Sequence, residues 1–406
     1  MRTTAPLWAS GFRPFFLLGV GYGAALMVTW AFALASPDAM PWLAFAARSW
    51  HAREMVFGFA VAIVAGVVLT ALPSWAGTQE EVHGTQLARL AMLWIAGRVA
   101  FWLASASSYR WIGAVDLLFV PALFATVLPQ LSHVANRRYL LLLPVLGGLY
   151  AAQLATHVVA DPSGVGAMRV AANAAIYAIV ILYALVGGLL TPVFTGNALR
   201  AKGRGDQPRF VPALDAAAIA LVVALAALDL AGASDAWIGA AALGCALVHG
   251  WRVARWHGWR AADDRIVLAM NLGYAWLVAA FALRTAAALG GLVPLDAWVH
   301  AFTVGSLGMM MIGLMTRVVL RHTGRPLAVS PLIVGAGATM FAAALLRLAA
   351  SVHALGNAPV ALSALLWAVA FSAWLVACAP MLLAPSLPRK PAPAPAPAPA
   401  SRNARG

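Results

Sequence analysis

From Phe15 to Ala35 the chain carries no charged side chain, and the same pattern recurs as far as Ala384: a long apolar run closed by a short polar break. A run of roughly 20 apolar residues lets a helix cross the hydrocarbon core of a bilayer with every backbone group satisfied internally. Hydropathy and breaker residues predict spans at 14–36, 52–73, 87–105, 111–131, 139–158, 168–192, 213–232, 236–252, 266–289, 296–318, 329–350 and 359–384. The connections are short and leave no room for a soluble domain. The first run is too long for a signal-peptide core and reads as a retained span. The expected fold is all-α, a polytopic membrane bundle of about twelve transmembrane helices over residues 1–384. A disordered Pro/Ala-rich basic tail is expected over 385–406.

Composition agrees. The chain is 63% hydrophobic and only 10% charged, against roughly a quarter charged in soluble domains. Its net charge of +14 would suit nucleic acid, but the basic residues are scattered among the connections, so topology explains them better. Placing both termini in the cytoplasm gathers most of the 27 Lys and Arg on that side, including Arg200, Lys202, Arg204, Arg209, Arg252, Arg255, Arg260 and Arg265. The other side keeps Arg48, Arg53, Arg110, Arg169, Arg284 and Arg347, and Arg98 stays within a span. Cys245 and Cys378 form neither a CxxC nor a disulfide framework.

This orientation sorts the nine histidines. His83, His133, His249, His257 and His322 fall on the cytoplasmic side. His51, His157, His300 and His353 fall at the outer ends of four different spans, where neutral imidazoles could converge on a metal or haem. Each alone is more often a structural residue. On an α-helix His51 shares a face with Met55, Gly58, Ala62 and Ala65, small enough either for a neighbouring helix or for a flat cofactor. Glu54, three residues on, is a second partner for such a ligand or an ion pair at the membrane edge.

Arg98 is the costliest residue to place in a membrane. Trp94 and Trp102 flank it at helical spacing and could shield it by stacking, and Asp116 is its nearest counter-ion along the chain. A haem propionate is the alternative partner. Met309, Met310 and Met311 point in different directions and read as adaptable filler, while Gly305, Gly308 and Gly313 suit close helix packing. Arg13, in Gly11-Phe12-Arg13-Pro14-Phe15-Phe16, reads as an interfacial anchor, and the basic turn Arg321–Pro326 as a contact to anionic lipid. No P-loop, GxGxxG, HExxH or nucleophile elbow is present.

Four separated stretches carry a family resemblance: GFRPFFLLG (11–19), WHAREMVFGFAVAIVAGVVLTALPSW (50–75), GRVAFW (97–102) and HAFTVGSLGMMMIGLMTRVVLRHTGRP (300–326). The chain resembles the NnrS family of bacterial membrane proteins linked to the nitric oxide response. The resemblance covers nearly all of it apart from the Pro-Ala tail. It implies a multi-pass protein of the bacterial inner (cytoplasmic) membrane that contains haem and copper and protects under nitric oxide or nitrosative stress. Nitric oxide or a related small molecule is then the implied partner, besides the lipid bilayer. The first motif of the family usually reads Trp-His-x-His-Glu-Met. Trp50, His51, Glu54 and Met55 match, but Arg53 replaces the second histidine, and a guanidinium stays protonated and cannot ligate a metal.

Three readings compete, the last of them a structural or assembly role for another respiratory complex, for which the sequence offers neither support nor exclusion. In the first, the protein binds haem, with copper as a further cofactor, through His51 and His300 as metal ligands, His157 and His353 as alternates, and Glu54 and Arg98 around the group. In the second it is a transporter or channel using Arg98, Asp116 and Glu54 along a pathway. The sequence names no protein partner, and it assigns no electron source or proton path that would make the chain a reductase.

Overall fold

The computed structural model describes residues 5–36, 47–77, 81–103, 109–132, 134, 137–158 and 165–388. Every regular element among them is helical. In chain order these are α1 (Phe12–Ala35), α2 (Ala47–Ala76), α3 (Gly84–Trp102), α4 (Tyr109–Asp116), α5 (Phe119–Leu131), α6 (Leu142–Val158), α7 (Val165–Ala201), α8 (Pro212–Leu230), α9 (Asp235–Trp256), α10 (Arg265–Gly290), α11 (Asp296–His322), α12 (Pro331–Val352) and α13 (Asn357–Leu383). Helix occupies all the predicted places, with 111–131 bent between α4 and α5. Among the described residues, ten helices are long and apolar enough to cross a membrane. The predicted spans at 87–105 and 236–252 are the helices α3 and α9, which fall outside that set. Their polar content explains it: α3 carries Arg89 and Arg98, and α9 carries Asp235, His249, Arg252 and Arg255. His133 and the tail from Arg389 onward lie outside the described residues.

Helix ends follow local chemistry. Asp264 caps α10 by accepting from the backbone N–H of Ile266 (3.1 Å) and Val267 (3.2 Å). Ser330 caps α12 ahead of Pro331, whose missing N–H costs nothing in the first turn. Gly291, at φ 56°, ends α10 in the left-handed region that favours glycine.

Small residues set the packing. A Cβ on Gly23 would lie 2.5 Å from the Phe59 ring, one on Gly19 would lie 3.1 Å from Ala62 Cβ, and one on Gly66 would lie 2.8 Å from Phe16. Helices α1 and α2 therefore approach closely along glycine and alanine, which is how helices associate where lipid is as apolar as leucine. Ala62, on the small-residue face below His51, is spent on this contact rather than on space for a flat group. On α11, Gly305 backs onto Trp276, Gly308 onto Met340 and Gly313 onto Met270, as their spacing suggests. Met309, Met310 and Met311 are all buried as filler.

Two stretches depart from α-helical geometry. Glu54–Ala60 within α2 and Ala301–Leu307 within α11 are π-helical. Each adds a residue per turn and rotates what precedes it, so the α-helical face drawn through His51 does not continue unbroken. Such wide turns are rare and frequent at functional sites.

The two ends of the described chain meet. Arg13 is buried, not an interfacial anchor as its position suggests: it donates to the carbonyls of Leu382 and Ala384 (2.7 Å each) and to Ser386 Oγ (2.9 Å). These are carbonyls that the end of α13 leaves open, where the helix dipole also favours a cation. Beyond α13 the chain continues onto α11, with the Leu387 N–H bound to the Thr323 carbonyl at 2.9 Å. At the same end of the bundle Asp263 pairs with Lys202 and Arg204, each at 2.9 Å. The hydrogen bond from Lys202 holds the Asp263 carboxyl below the usual carboxylate range.

Candidate functional site

At the opposite end, where α2, α3, α4 and α6 come together, two carboxylates and two guanidinium groups are buried in one network. Arg98 Nη1 donates to both oxygens of Glu54 at 2.7 Å each, and its Nη2 meets Asp116 Oδ1. Arg53 reaches Glu54 (3.4 Å), Asp116, Thr156 Oγ1 (3.3 Å) and His157 Nε2. Gln153 Nε2 donates to Asp116 Oδ2 at 2.9 Å, and His157 Nε2 lies 3.0 Å from the same oxygen. Tyr22, on α1, donates to Glu54 and accepts from Trp102 Nε1 at 2.9 Å. None of Arg53, Glu54, Arg98 and Asp116 is more than 5% exposed. Two positive and two negative groups cancel, so no isolated charge is left in a medium where one would be very costly.

Glycines make room for this network. A Cβ on Gly58 would lie 3.0 Å from Glu54 Oε2 and 2.6 Å from Tyr22, one on Gly97 would lie 3.2 Å from the Asp116 backbone, and one on Gly113 would lie 2.8 Å from His157 Nδ1. The network sits against bare backbone on three helices.

The expected pairing of Arg98 with Asp116 is present. The expected shielding of Arg98 by indoles is replaced by something else: Trp94 donates to the Gly58 carbonyl (3.1 Å) and Trp102 to Tyr22. The guanidinium that lies over a ring here is that of Arg53, 4.3 Å from the Phe101 centroid.

His51 belongs to a second cluster. Its imidazole stacks on Trp30 with centroids 4.5 Å apart and an interplanar angle of 14°. Its Nδ1 is buried with no hydrogen-bond partner. His300 and Arg347 are near enough to act on it electrostatically. His300 Nδ1 lies 2.8 Å from the Asp296 carbonyl, an acceptor only, which assigns the proton to Nδ1 and the lone pair to Nε2. That Nε2 is 3.2 Å from Arg347 Nη2, and Arg347 and Ser351 both bind Asp296 Oδ2, at 3.0 and 2.9 Å. Each of the two histidines directly precedes or lies within one turn of a π-helical stretch.

Of the four outer-side histidines, His51 and His300 lie within electrostatic range of each other. His157 stands apart in the charged network, and His353 is exposed at the end of α12. Among the described residues no group of three or more His, Cys, Asp or Glu side chains gathers as a metal cage. Both cysteines are buried and free.

The hydropathy pattern does not point to Tyr22, Gln153, Trp30, Asp296 or Ser351. Gln153, an amide inside an apolar run, is the one that stands out in retrospect; the others are ordinary interfacial residues that only tertiary packing assembles.

The motifs that form both clusters lie within one long family match. A family model described as NnrS protein covers residues 6–386. The chain belongs to the NnrS family. Comparison with curated proteins gave no match. Membership and the apolar helical bundle together make this NnrS-family chain a membrane protein. Arg53, the residue at which the resemblance leads one to expect histidine, contacts Glu54, Asp116 and His157.

Proposed function

We propose that this NnrS-family chain is a twelve-span protein of the bacterial inner membrane, with both termini cytoplasmic, that serves the nitric oxide response as a haem-binding protein. The single observation that carries the haem reading is the buried, unpartnered Nδ1 of His51, within electrostatic range of His300. An imidazole nitrogen buried without a partner costs free energy that a ligated metal would remove. His300, with its proton held on Nδ1 by the Asp296 carbonyl, keeps a lone pair on Nε2, the tautomer a ligating histidine needs. These residues fit a group taking two imidazoles. Held by both imidazoles, haem would be a low-spin centre; held by one of them, it would supply an iron able to bind nitric oxide. Arg347 would then turn from His300 towards a carboxylate of the group.

Copper is supported less directly. With Arg53 in place of the second motif histidine, His51 and His300 are the imidazoles left to offer it, and a further donor has to come from outside this pair. The orientation rests on the basic connections, whose residues Lys202, Arg204 and Arg260 meet at the same end of the bundle as Arg13 and Ser386.

The visible spectrum of the detergent-purified protein tests the reading. A Soret band that is lost in His51→Ala and His300→Ala is the expected result. No Soret band after expression with adequate haem, with neither iron nor copper by elemental analysis, would overturn it.

The transport alternative draws on the convergence of Arg98, Asp116 and Glu54. Their mutual pairing favours a fixed scaffold over a moving path, and uptake in proteoliposomes that disappears on Arg98→Ala would be needed to revive it.

A further inference from the structure

A groove of about 490 Å³ opens on the side of the bundle between α1 and α3. Its walls include Leu17, Leu18, Ile95 and Val99, and its rim includes Val99 (50% exposed) and Leu103 (75% exposed). Leu17 and Leu18 belong to α1, which is apolar enough to span; resting on the proposed twelve-span reading, in which α3 crosses beside it, the exposed aliphatic side chains face lipid tails and a ligand reaches this groove from the bilayer.

The inner wall is different. Trp94, Trp102 and Tyr22 line it, with the Tyr22 and Trp94 rings edge to face at 5.5 Å. Arg98 lines it as well, although only 5% exposed. Its two terminal nitrogens bind Glu54 and Asp116, while its Nε–H is buried with no hydrogen-bond partner. Tyr22 Oη donates to Glu54 and accepts from Trp102, which leaves one lone pair on a phenol oxygen unused. One unused donor, the sealed Nε–H of Arg98, and one unused acceptor, Tyr22 Oη, therefore lie just behind a largely apolar, aromatic wall. A saturated acyl chain can use none of these. A ring hydroxyl that enters between these two side chains has the chemistry to satisfy both, accepting from Arg98 Nε–H and donating to Tyr22 Oη.

We propose that this groove binds the ring head of a membrane-dissolved quinol, with its apolar tail running out between Leu17 and Val99 into the bilayer. The volume falls in the range of small-molecule sites. The reduced form is favoured, since a quinone carbonyl can accept from Arg98 but has no proton for Tyr22. Gly21 lines the groove, and a Cβ there would meet only Leu375 Cδ2, at 3.8 Å, so a larger side chain can be placed at its edge without a clash at Cβ. The site is separate from His51 and His300, so it stands or falls independently of haem binding.

The test uses the full-length protein in nanodiscs of defined, quinone-free phospholipid, titrated anaerobically with a short-tailed benzoquinol and, separately, with its quinone. A photoreactive azidoquinone maps the contact. Expected are saturable quinol binding, quinone binding weaker by roughly tenfold, the worth of one hydrogen bond, and labelling within 14–24 and 92–103. Tyr22→Phe should bring quinol down to the quinone affinity. Gly21→Phe fills the groove and should abolish binding of both forms while leaving the melting temperature near wild type; Leu17→Trp is the second filling variant should the first not fold. Absence of saturable binding, binding unchanged in the filling variants, or labelling competed equally well by phospholipid would overturn the proposal.

Discussion

The Arg98 guanidinium holds both carboxylate oxygens of Glu54 from a single nitrogen, at 2.7 Å each, on helices whose ends are far apart in sequence. Through its other terminal nitrogen it holds Asp116. One side chain thus joins α2, α3 and α4, and its absence would leave two buried carboxylates sharing Arg53 alone.

Breaking this junction should be costly, and breaking it symmetrically less so. Glu54→Gln and Arg98→Met each unbalance the buried charge and are expected to destabilise the protein by about 3–5 kcal/mol. The double variant leaves Arg53 facing Asp116 as a neutral pair, and should cost clearly less than the two single losses together. Thermal unfolding of the four proteins in one detergent checks this, and strict additivity would argue against the network.

Arg53→His tests what the departure from the family motif did. An imidazole at that position would stand beside His157 and Asp116, turning a guanidinium contact into a set of three potential metal donors. The variant is expected to retain about one equivalent of copper per chain that the parent does not hold at the same place. Elemental analysis of both proteins, with His157→Ala added to the variant, reads it out; copper retained despite that added change would refute the assignment.

Two glycines should respond in opposite directions. Gly58→Ala pushes a methyl group into Tyr22 and Glu54 and should cost about 1–3 kcal/mol by overpacking. A Cβ at Gly147, inside α6, meets nothing within 4 Å. Gly147→Ala should stabilise by up to about 1 kcal/mol through helix propensity. Paired melting curves decide both.

Arg13→Met removes the donors that the carbonyls of Leu382 and Ala384 use, and should destabilise by about 1–3 kcal/mol for each buried acceptor left unpaired. Arg13→Lys keeps a charge but not the planar fork and should recover only part of the loss. Limited proteolysis near residue 385 measures the release of the last helix: faster cleavage in Arg13→Met than in Arg13→Lys is expected, and equal rates would count against the capping role.

The bundle itself was legible because a spanning helix must be apolar over its whole length, and that requirement overrides everything local. Where polar residues enter a helix, as in α3 and α9, the same signal weakens although the helix persists. Arg98 with Asp116 was also legible, since a charge in a span demands a partner. The π-helical turns were not: they change which residues share a face without any mark in composition, and they redirect the face of His51. Nor did Arg13 betray its place. A basic residue beside aromatics at a span's start reads as an interfacial anchor, and only the return of α13 to its side turns it into a cap.

That return has a consequence for how the molecule is made. Helix α1 leaves the ribosome long before α13, yet Phe16 of α1 packs on Trp374 of α13, and Arg13 waits for carbonyls that do not exist until α13 has been made. Until α13 arrives, one flank of α1 has only lipid, or an assisting protein, for company. A chain stopped before Leu382 would carry every earlier helix and still lack the contact that ties α1 to α13, which makes Arg13 a check on the arrival of that helix.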